Sequence, residues 1–128
     1  FNNLLHRSIS NEDEVKRYLL KNNFVSVKLH EINFKEQVDL FNKAECVVGL
    51  HGAGFANIIF CKPGTKVIEL KNSNAGPMYE NVAKKNDLNY ASITVEAKQS
   101  HPNQEQMKWQ QGRIHVPIEN LSKILENK

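Results

Sequence analysis

The sequence predicts a three-layer α/β fold with a mainly parallel sheet and helices on both faces. Short segments rich in β-branched and aromatic residues alternate with segments whose apolar residues recur at helical spacing. Near the middle of the chain, an apolar run ends at Gly49 and is followed by His51-Gly52-Ala53-Gly54. Alternation on this scale places consecutive strands parallel, with the helices as crossover connections.

Before residue 30, the chain predicts a partial strand, a helix and a full strand. Residues 1–9 are weakly patterned and allow only a partial strand. Asn11 and Glu14 have the spacing of a capping box, which predicts the start of a helix. The predicted buried face of this helix consists of Val15, Tyr18 and Leu19. Residues 24–29 alternate and are rich in β-formers, so they predict a strand.

A second helix and the central strand follow. Asn33 and Glu36 form another predicted capping box. The predicted buried face of this helix consists of Phe34, Val38 and Phe41, with Leu40 outside it. Residues 46–48 are apolar and predict the central strand, and the apolar residues after Gly54 predict the start of a helix.

The second half of the chain repeats the alternation. A Pro63-Gly64 turn precedes a strand predicted over residues 66–70. The remaining predicted elements are a helix from Pro77, a strand over 90–95, a long polar loop over 97–112, a short strand over 113–116 and a helix over 117–125.

Length and composition indicate one globular domain over residues 1–128. Hydrophobic residues make up 40% and charged residues 24%, which are ordinary values for a globular protein. The net charge of +3 comes from scattered side chains, so no nucleic-acid partner is predicted, whereas an anionic small ligand suits it. Cys46 and Cys61 lack metal-ligand spacing and are expected to be free, and no metal site is predicted.

The residues 51–54, which we call the glycine turn, carry the strongest functional signal. A strand, a glycine-rich turn and a helix together present backbone N–H groups to phosphates in α/β proteins. Glycines permit positive φ and close approach of a ligand, and the helix dipole favours an anion. The spacing of Gly49, Gly52 and Gly54 matches neither the dinucleotide fingerprint nor a P-loop. The residues alone therefore leave open a phosphate site or a tight structural turn.

Three polar side chains accompany this turn. His51 could hydrogen-bond a phosphate or transfer a proton, or it could bond the backbone of the loop. Asn57 is a poor residue for a helix interior, which indicates a side-chain hydrogen bond to the loop or to a ligand. Glu69 lies near the carboxyl end of the next strand, where parallel sheets bind ligands. It could bind ribose hydroxyls or be a solvent-facing charge.

Four motifs together resemble the C-terminal, donor-binding half of the family 61 glycosyltransferases over roughly residues 7–95. This group includes bacterial capsular-polysaccharide enzymes, plant xylosyltransferases and an extracellular O-GlcNAc transferase. The motifs are Arg7 with Asn11-Glu12, Phe34-x-Glu36-Gln37 with Phe41 and Ala44, Val48-Gly49-x-His51-Gly52-Ala53-Gly54-x-x-Asn57-x-x-Phe60, and Pro63-Gly64-Thr65-x-Val67-Ile68-Glu69. The resemblance implies a GT-B architecture, in which two Rossmann-like halves flank the active site.

The resemblance also implies a set of donor-site residues, namely Arg7, Asn11, His51, Gly52, Ala53, Gly54, Asn57 and Glu69. The N–H groups of residues 52–54 would bind the diphosphate. His51 would contact a phosphate or the departing group, which makes it the candidate catalytic residue. Asn57 would brace the turn and Glu69 would hold the ribose, while the remaining two residues would line the same crevice.

By this resemblance, the chain is the donor-binding domain of an inverting, metal-independent glycosyltransferase in polysaccharide or glycan biosynthesis. The donor would be a nucleotide-sugar, expected to be UDP-linked, with no other cofactor. A missing N-terminal half would bind the glycan or protein acceptor and supply the general base, so this chain alone is expected to be inactive. The residues leave two alternatives open: a non-catalytic nucleotide- or sugar-binding module, and an interaction domain with a structural glycine turn.

The first residue, Phe1, is not an initiator Met, so we expect the chain to be a piece of a longer protein. No apolar run is long enough to span a bilayer and no signal peptide opens the sequence. We therefore expect a bacterial cytoplasmic setting, with membrane association only through the parent protein. The lumen of the ER or Golgi is the alternative for a eukaryotic source.

Overall fold

The computed structural model describes residues 8–73, 75–95 and 113–126. Arg7 and the predicted loop over 97–112 lie outside these residues. The elements in chain order are β1 (Ser8–Ile9), α1 (Glu12–Lys21), a 3-10 turn (Leu29–Glu31), α2 (Phe34–Lys43), β2 (Cys46–Leu50), a 3-10 helix (Ala53–Phe60), β3 (Lys66–Asn72), α3 (Met78–Lys85), β4 (Asn89–Val95), β5 (Arg113–Ile114) and α4 (Ile118–Glu126).

Two separate sheets contain the described strands. The larger has the order β2-β3-β4, with β2 and β3 parallel in a register from Cys46↔Lys66 to Leu50↔Leu70. The sheet is parallel throughout, with α3 connecting β3 to β4. The smaller sheet pairs β1 with β5, also in parallel. The prediction of an α/β fold with parallel strands is therefore confirmed, while helices on both faces stay a prediction.

The chain divides into two compact units. The described part of the first consists of Lys28–Leu70 and Ala75–Ser92, and that of the second of residues 8–27, 71–73, 93–95 and 113–126. Because β3 and β4 each contribute residues to both units, this division does not test the prediction of one domain over 1–128.

The core of the first unit lies between the sheet and three helical segments. Its buried cluster consists of Phe41, Phe55, Ile58, Cys61, Val67, Tyr79, Ala83 and Leu88. The 3-10 helix Ala53–Phe60 contacts α2, α3 and β2, so it is the central element of this layer. The sequence predicted a helix after Gly54, and the structure has a 3-10 helix there instead of an α-helix.

In the second unit, one side chain connects the two ends of the described chain. The Asn11 amide donates to the Val116 carbonyl at 2.8 Å and accepts from the Val116 N–H at 2.9 Å. The predicted capping box of α1 is therefore wrong, because the side chain of Asn11 does not cap the helix. Instead, its amide donates to the Glu14 carboxylate at 2.9 Å. The second capping box, Asn33 with Glu36, is confirmed in both directions.

The predicted strand over residues 24–29 is also wrong. Residues 24–28 are assigned to neither a strand nor a helix, and Leu29 begins a 3-10 turn. At the two ends of this stretch the backbone bonds nearby residues: the Phe24 N–H donates to the Leu19 carbonyl, and the Lys28 carbonyl accepts from the Glu31 N–H. Val25 is 81% exposed, which shows that alternation of residue types did not produce a buried face here.

On α2, Phe41 is buried as predicted, whereas Phe34 is 66% exposed and contacts the ring of Phe60 edge-on at a centroid distance of 5.7 Å. The predicted buried face thus loses its N-terminal member, and Leu40, which the spacing placed off this face, is exposed. Within the described residues, no helix is long and apolar enough to cross a bilayer.

Candidate functional site

The glycine turn lies at the carboxyl ends of the parallel strands β2 and β3. The N–H of His51 donates to the Leu70 carbonyl at 2.8 Å, which extends the strand pairing up to the turn. Gly52 then has φ 167° and ψ 177°, an extended conformation that any residue can adopt. The idea that positive φ explains a glycine at residue 52 is therefore wrong for this structure.

At residue 54, close packing explains the need for a glycine. A Cβ added at this residue would lie 3.1 Å from Cδ1 of Leu29, so the 3-10 turn Leu29–Glu31 packs closely against the glycine turn. Gly54 thus permits the close approach of another part of the chain.

The backbone N–H groups of residues 53 and 54 open the 3-10 helix. The first hydrogen bond of this helix runs from the Phe55 N–H to the Gly52 carbonyl, at 3.0 Å. Because the N–H groups before it have no acceptor within the helix, they can bind an anion at its N-terminus. The structure thus places the predicted backbone donors together at the sheet edge.

A hydrogen-bonded chain of three side chains crosses the sheet next to this turn. Nδ1 of His51, at the end of β2, bonds one carboxylate oxygen of Glu69 on β3. The hydroxyl of Tyr90, on β4, donates to the other oxygen of Glu69 at 2.5 Å. Glu69 is paired with Gly49, and side chains two residues apart point to the same face, so His51 and Glu69 share one face of the sheet.

Glu69 is 0% exposed, whereas the side chain of His51 is 13% exposed. The solvent-facing alternative for Glu69 is therefore wrong. Both of its oxygens are bonded inside the protein, and its predicted contact with a ribose stays a prediction. A buried carboxylate is stable only when its oxygens are bonded, and His51 and Tyr90 supply those bonds.

The environment of Tyr90 also changes the pKa of its hydroxyl. Burial first, and then the hydrogen bond to Glu69, raise the pKa of Tyr90 well above its ordinary value. Tyr90 therefore keeps its proton and remains a hydrogen-bond donor to Glu69. On the other side, the ring of Tyr79 contacts the His51 ring edge-on at a centroid distance of 4.9 Å, and Tyr79 contacts Phe55 at 5.5 Å.

Asn57 connects the 3-10 helix to α2. Its amide donates to Oε1 of Gln37 at 2.9 Å. The amide of Gln37 donates in turn to the Leu29 carbonyl at 2.9 Å and to the Ile32 carbonyl at 3.3 Å. The side chain of Asn57 therefore bonds another helix, and its predicted role of bracing the glycine turn in a donor site stays a prediction.

Arg7 lies outside the described residues, and its donor contact stays a prediction. Asn11 uses its amide for Val116 and Glu14, and its predicted donor contact likewise stays a prediction. Sequence reasoning missed Tyr79, Tyr90 and Gln37. Gln37 stands inside a recognised motif, and the parallel order of β3 and β4 could have placed Tyr90 near Glu69. Within the described residues, no three His, Cys, Asp or Glu side chains are grouped as a metal ion requires.

Comparison with known proteins gives relatives in plants and animals. A beta-1,2-xylosyltransferase of Oryza sativa subsp. japonica is 34% identical over 73 residues, which cover 51% of this chain and 14% of that protein. An EGF domain-specific O-linked N-acetylglucosamine transferase of Gallus gallus is 28% identical over 90 residues, or 66% of this chain and 17% of that protein. No solved structure matches the chain.

The chain therefore spans less than a fifth of the length of these two relatives. Both are eukaryotic proteins, so they do not support the bacterial cytoplasmic setting that the sequence suggested. The sequence model of the Glycosyltransferase 61 family matches residues 2–68, just over half of the chain and the whole of the glycine turn. On this match, the chain belongs to glycosyltransferase family 61.

Proposed function

We propose that this chain is the donor-binding domain of a glycosyltransferase that takes its sugar from a nucleotide-sugar. The observation that carries the proposal is the glycine turn, which lies at the carboxyl ends of two parallel strands and within the segment that matches the family. Ligands of open α/β sheets bind beyond this edge. The backbone N–H groups of residues 52–54 are the proposed donors to the diphosphate.

The proposed reaction is a single displacement that inverts the anomeric carbon and uses no bound metal, as the resemblance to the family implies. The bond between the anomeric carbon and the diphosphate oxygen breaks, and its electron pair leaves with the nucleoside diphosphate. The acceptor hydroxyl forms the new bond and gives its proton to a base. Donors at the glycine turn stabilise the negative charge that develops on the leaving group.

His51 is the proposed side-chain contact to the departing phosphate, because it follows β2 directly and its ring is partly exposed. The acceptor and the base are proposed to come from another part of the parent protein, as the C-terminal position of a donor domain in a GT-B architecture implies. The relatives' names give xylose and N-acetylglucosamine as the transferred sugars, and one of them gives an EGF domain as the acceptor. We propose a UDP-linked donor and a glycan or protein acceptor for this chain's parent, as the resemblance to the family implies.

Isothermal titration calorimetry of the chain with UDP, GDP and CDP tests the binding. We expect UDP to bind and His51→Ala to weaken it. On this proposal, a methyl group at residue 52 would compete with the diphosphate for space, while the extended backbone there accepts alanine. We therefore expect Gly52→Ala to lose UDP affinity with little change in stability.

Gly64→Ala is the matched control. Gly64 has φ +90° with no atom within 4 Å of an added Cβ, so alanine is strained there, at a cost of about 1–2 kcal/mol, but should leave UDP affinity unchanged. Failure of every nucleotide to bind would overturn the proposal. Transfer by the full-length protein, with the product's anomeric configuration read by NMR, distinguishes an enzyme from the non-catalytic module.

A further inference from the structure

We propose that Glu69 and Tyr90 are positioning residues for His51: they hold its ring with the proton on Nδ1 and make the donor-bound ring an imidazolium. The inference rests on the proposed function, because it concerns the state in which His51 meets a phosphate. Glu69 and Tyr90 both follow residue 68, where the match to the family's sequence model ends.

The first step is the direction of the bond between His51 and Glu69. A neutral imidazole carries one proton, and the partner of one nitrogen decides which nitrogen holds it. Glu69 engages Nδ1 of His51 with one oxygen, while Tyr90 donates to its other oxygen at 2.5 Å. An ionised carboxylate only accepts hydrogen bonds, so Nδ1 is the donor.

The second step is the phosphate. Ionised phosphate oxygens also accept hydrogen bonds, so a ring that already donates through Nδ1 can donate to a phosphate only when Nε2 is protonated too. Such a ring carries a positive charge. The fully buried negative charge of Glu69 compensates that charge, and a charge-assisted bond of this kind is stronger than one between neutral groups.

The third step is how Glu69 itself is held. Burial and its bond to Glu69 raise the pKa of Tyr90, which keeps the hydroxyl protonated and donating. Among the described residues, the titratable groups recorded beside the pair are Tyr90 of β4 and Tyr79 of α3, and Glu80 of α3 acts electrostatically on Tyr90. Tyr90 thus fixes the carboxylate, and the carboxylate fixes the ring.

The test uses the ¹⁵N and ¹H NMR signals of the His51 ring in the chain, first free and then with UDP. We expect a proton on Nδ1 in the free chain and protons on both nitrogens in the complex. Glu69→Gln keeps an acceptor for Nδ1 but removes the charge. We therefore expect the neutral ring in that complex and UDP affinity lower by about 10-fold.

Tyr90→Phe provides a second variant that leaves Glu69 in place. We expect it to broaden or shift the His51 ring signals and to weaken UDP binding less than Glu69→Gln does. Tyr18→Phe is the control, because it makes the same chemical change in another tyrosine, whose side chain lines a groove together with residues of α4. It should change neither the ring signals nor the affinity.

The failures of the two proposals are distinguishable. If UDP does not bind the wild-type chain, the proposed function fails. Separately, if the His51 ring in the chain without UDP is protonated only on Nε2, the positioning role is overturned. If UDP binds but Glu69→Gln retains both the affinity and the doubly protonated ring, the positioning role is overturned and donor binding stands.

Discussion

The ring of Phe55 occupies the space beside Gly49 that a side chain would need. A Cβ added at Gly49 would lie 2.8 Å from Cδ1 and 3.0 Å from Cε1 of Phe55. Phe55 is buried and contacts Tyr79, which in turn contacts His51. The glycine on β2 therefore sets how closely the 3-10 helix packs on the strand that leads to His51.

Gly49→Ala should destabilise the protein by about 1–3 kcal/mol, because the Phe55 ring is packed and must move to admit a methyl group. Urea unfolding followed by circular dichroism measures the change. Gly76→Ala is the matched control, since no atom lies within 4 Å of an added Cβ there, and it should shift the stability by less than about 0.5 kcal/mol. Equal effects of the two variants would contradict the packing argument.

Asn57 and Gln37 should be energetically coupled. Their side chains bond each other at 2.9 Å, so the double variant Asn57→Ala with Gln37→Ala should cost less than the sum of the single variants, by about 0.5–1.5 kcal/mol. Unfolding free energies of the four proteins give the coupling. Asn57→Ala combined with Asn86→Ala should be additive, because Asn86 bonds Val82 instead.

Substitution by aspartate should affect the stability of the protein differently at Asn11 and at Asn33. Asn11 both donates to and accepts from the Val116 backbone, and an ionised aspartate cannot donate. We therefore expect Asn11→Asp to destabilise by about 1–3 kcal/mol. Asn33 only accepts at its cap, and Asp caps as well as Asn does, so Asn33→Asp should be nearly neutral. A comparison of melting temperatures near neutral pH checks both, and a neutral Asn11→Asp would contradict the role of its amide.

Stability should fall as the pH rises above 9. Burial raises the pKa of the Cys61 thiol from 9.0 to about 11, and burial with the bond to Glu69 raises that of Tyr90. Between the unfolded and folded values, the unfolded chain has released protons that the folded chain still holds. The unfolding free energy therefore decreases with pH in this window and is unaffected by these groups below it.

Urea unfolding at increasing pH measures that slope, which Cys61→Ala and Tyr90→Phe should each reduce. Leu88→Ala removes a buried side chain without a titratable group, so it should lower stability at every pH and leave the slope unchanged. An undiminished slope in each of the two titratable variants would rule out these side chains as its source.

Local signals predicted the elements that depend on local chemistry. The Asn33–Glu36 cap, the parallel strands and the position of the glycine turn at their carboxyl ends all followed from spacing and alternation. The signals failed where a distant partner decided the outcome. Asn11 bonds Val116 rather than capping its helix. Residues 24–29 alternate like a strand, but residues 24–28 form no strand in the described structure and Leu29 begins a 3-10 turn.

The candidate site was likewise predicted in part, where local signals were sufficient. The sequence placed His51 and Glu69 at one sheet edge, because both follow or end neighbouring strands. The parallel order of β3 and β4 could have brought Tyr90 near Glu69, but the burial of Glu69 and its bond to the Tyr90 hydroxyl depend on which face of the sheet each side chain takes. Gly54 resembled a ligand-facing residue in sequence, whereas its contact with Leu29 requires the folded position of a remote turn.

The pairing of β1 with β5 has a consequence for synthesis. Asn11 and Val116 stand 105 residues apart in the chain, and Ile9 pairs with Ile114. Such contacts close a long loop, which costs entropy before any contact energy is gained. Until the ribosome has synthesised β5, the nascent polypeptide cannot pair that strand with β1. The start of α1 therefore gains its bonds to Val116 only after that residue has left the exit tunnel, so this end of the helix is completed late in synthesis.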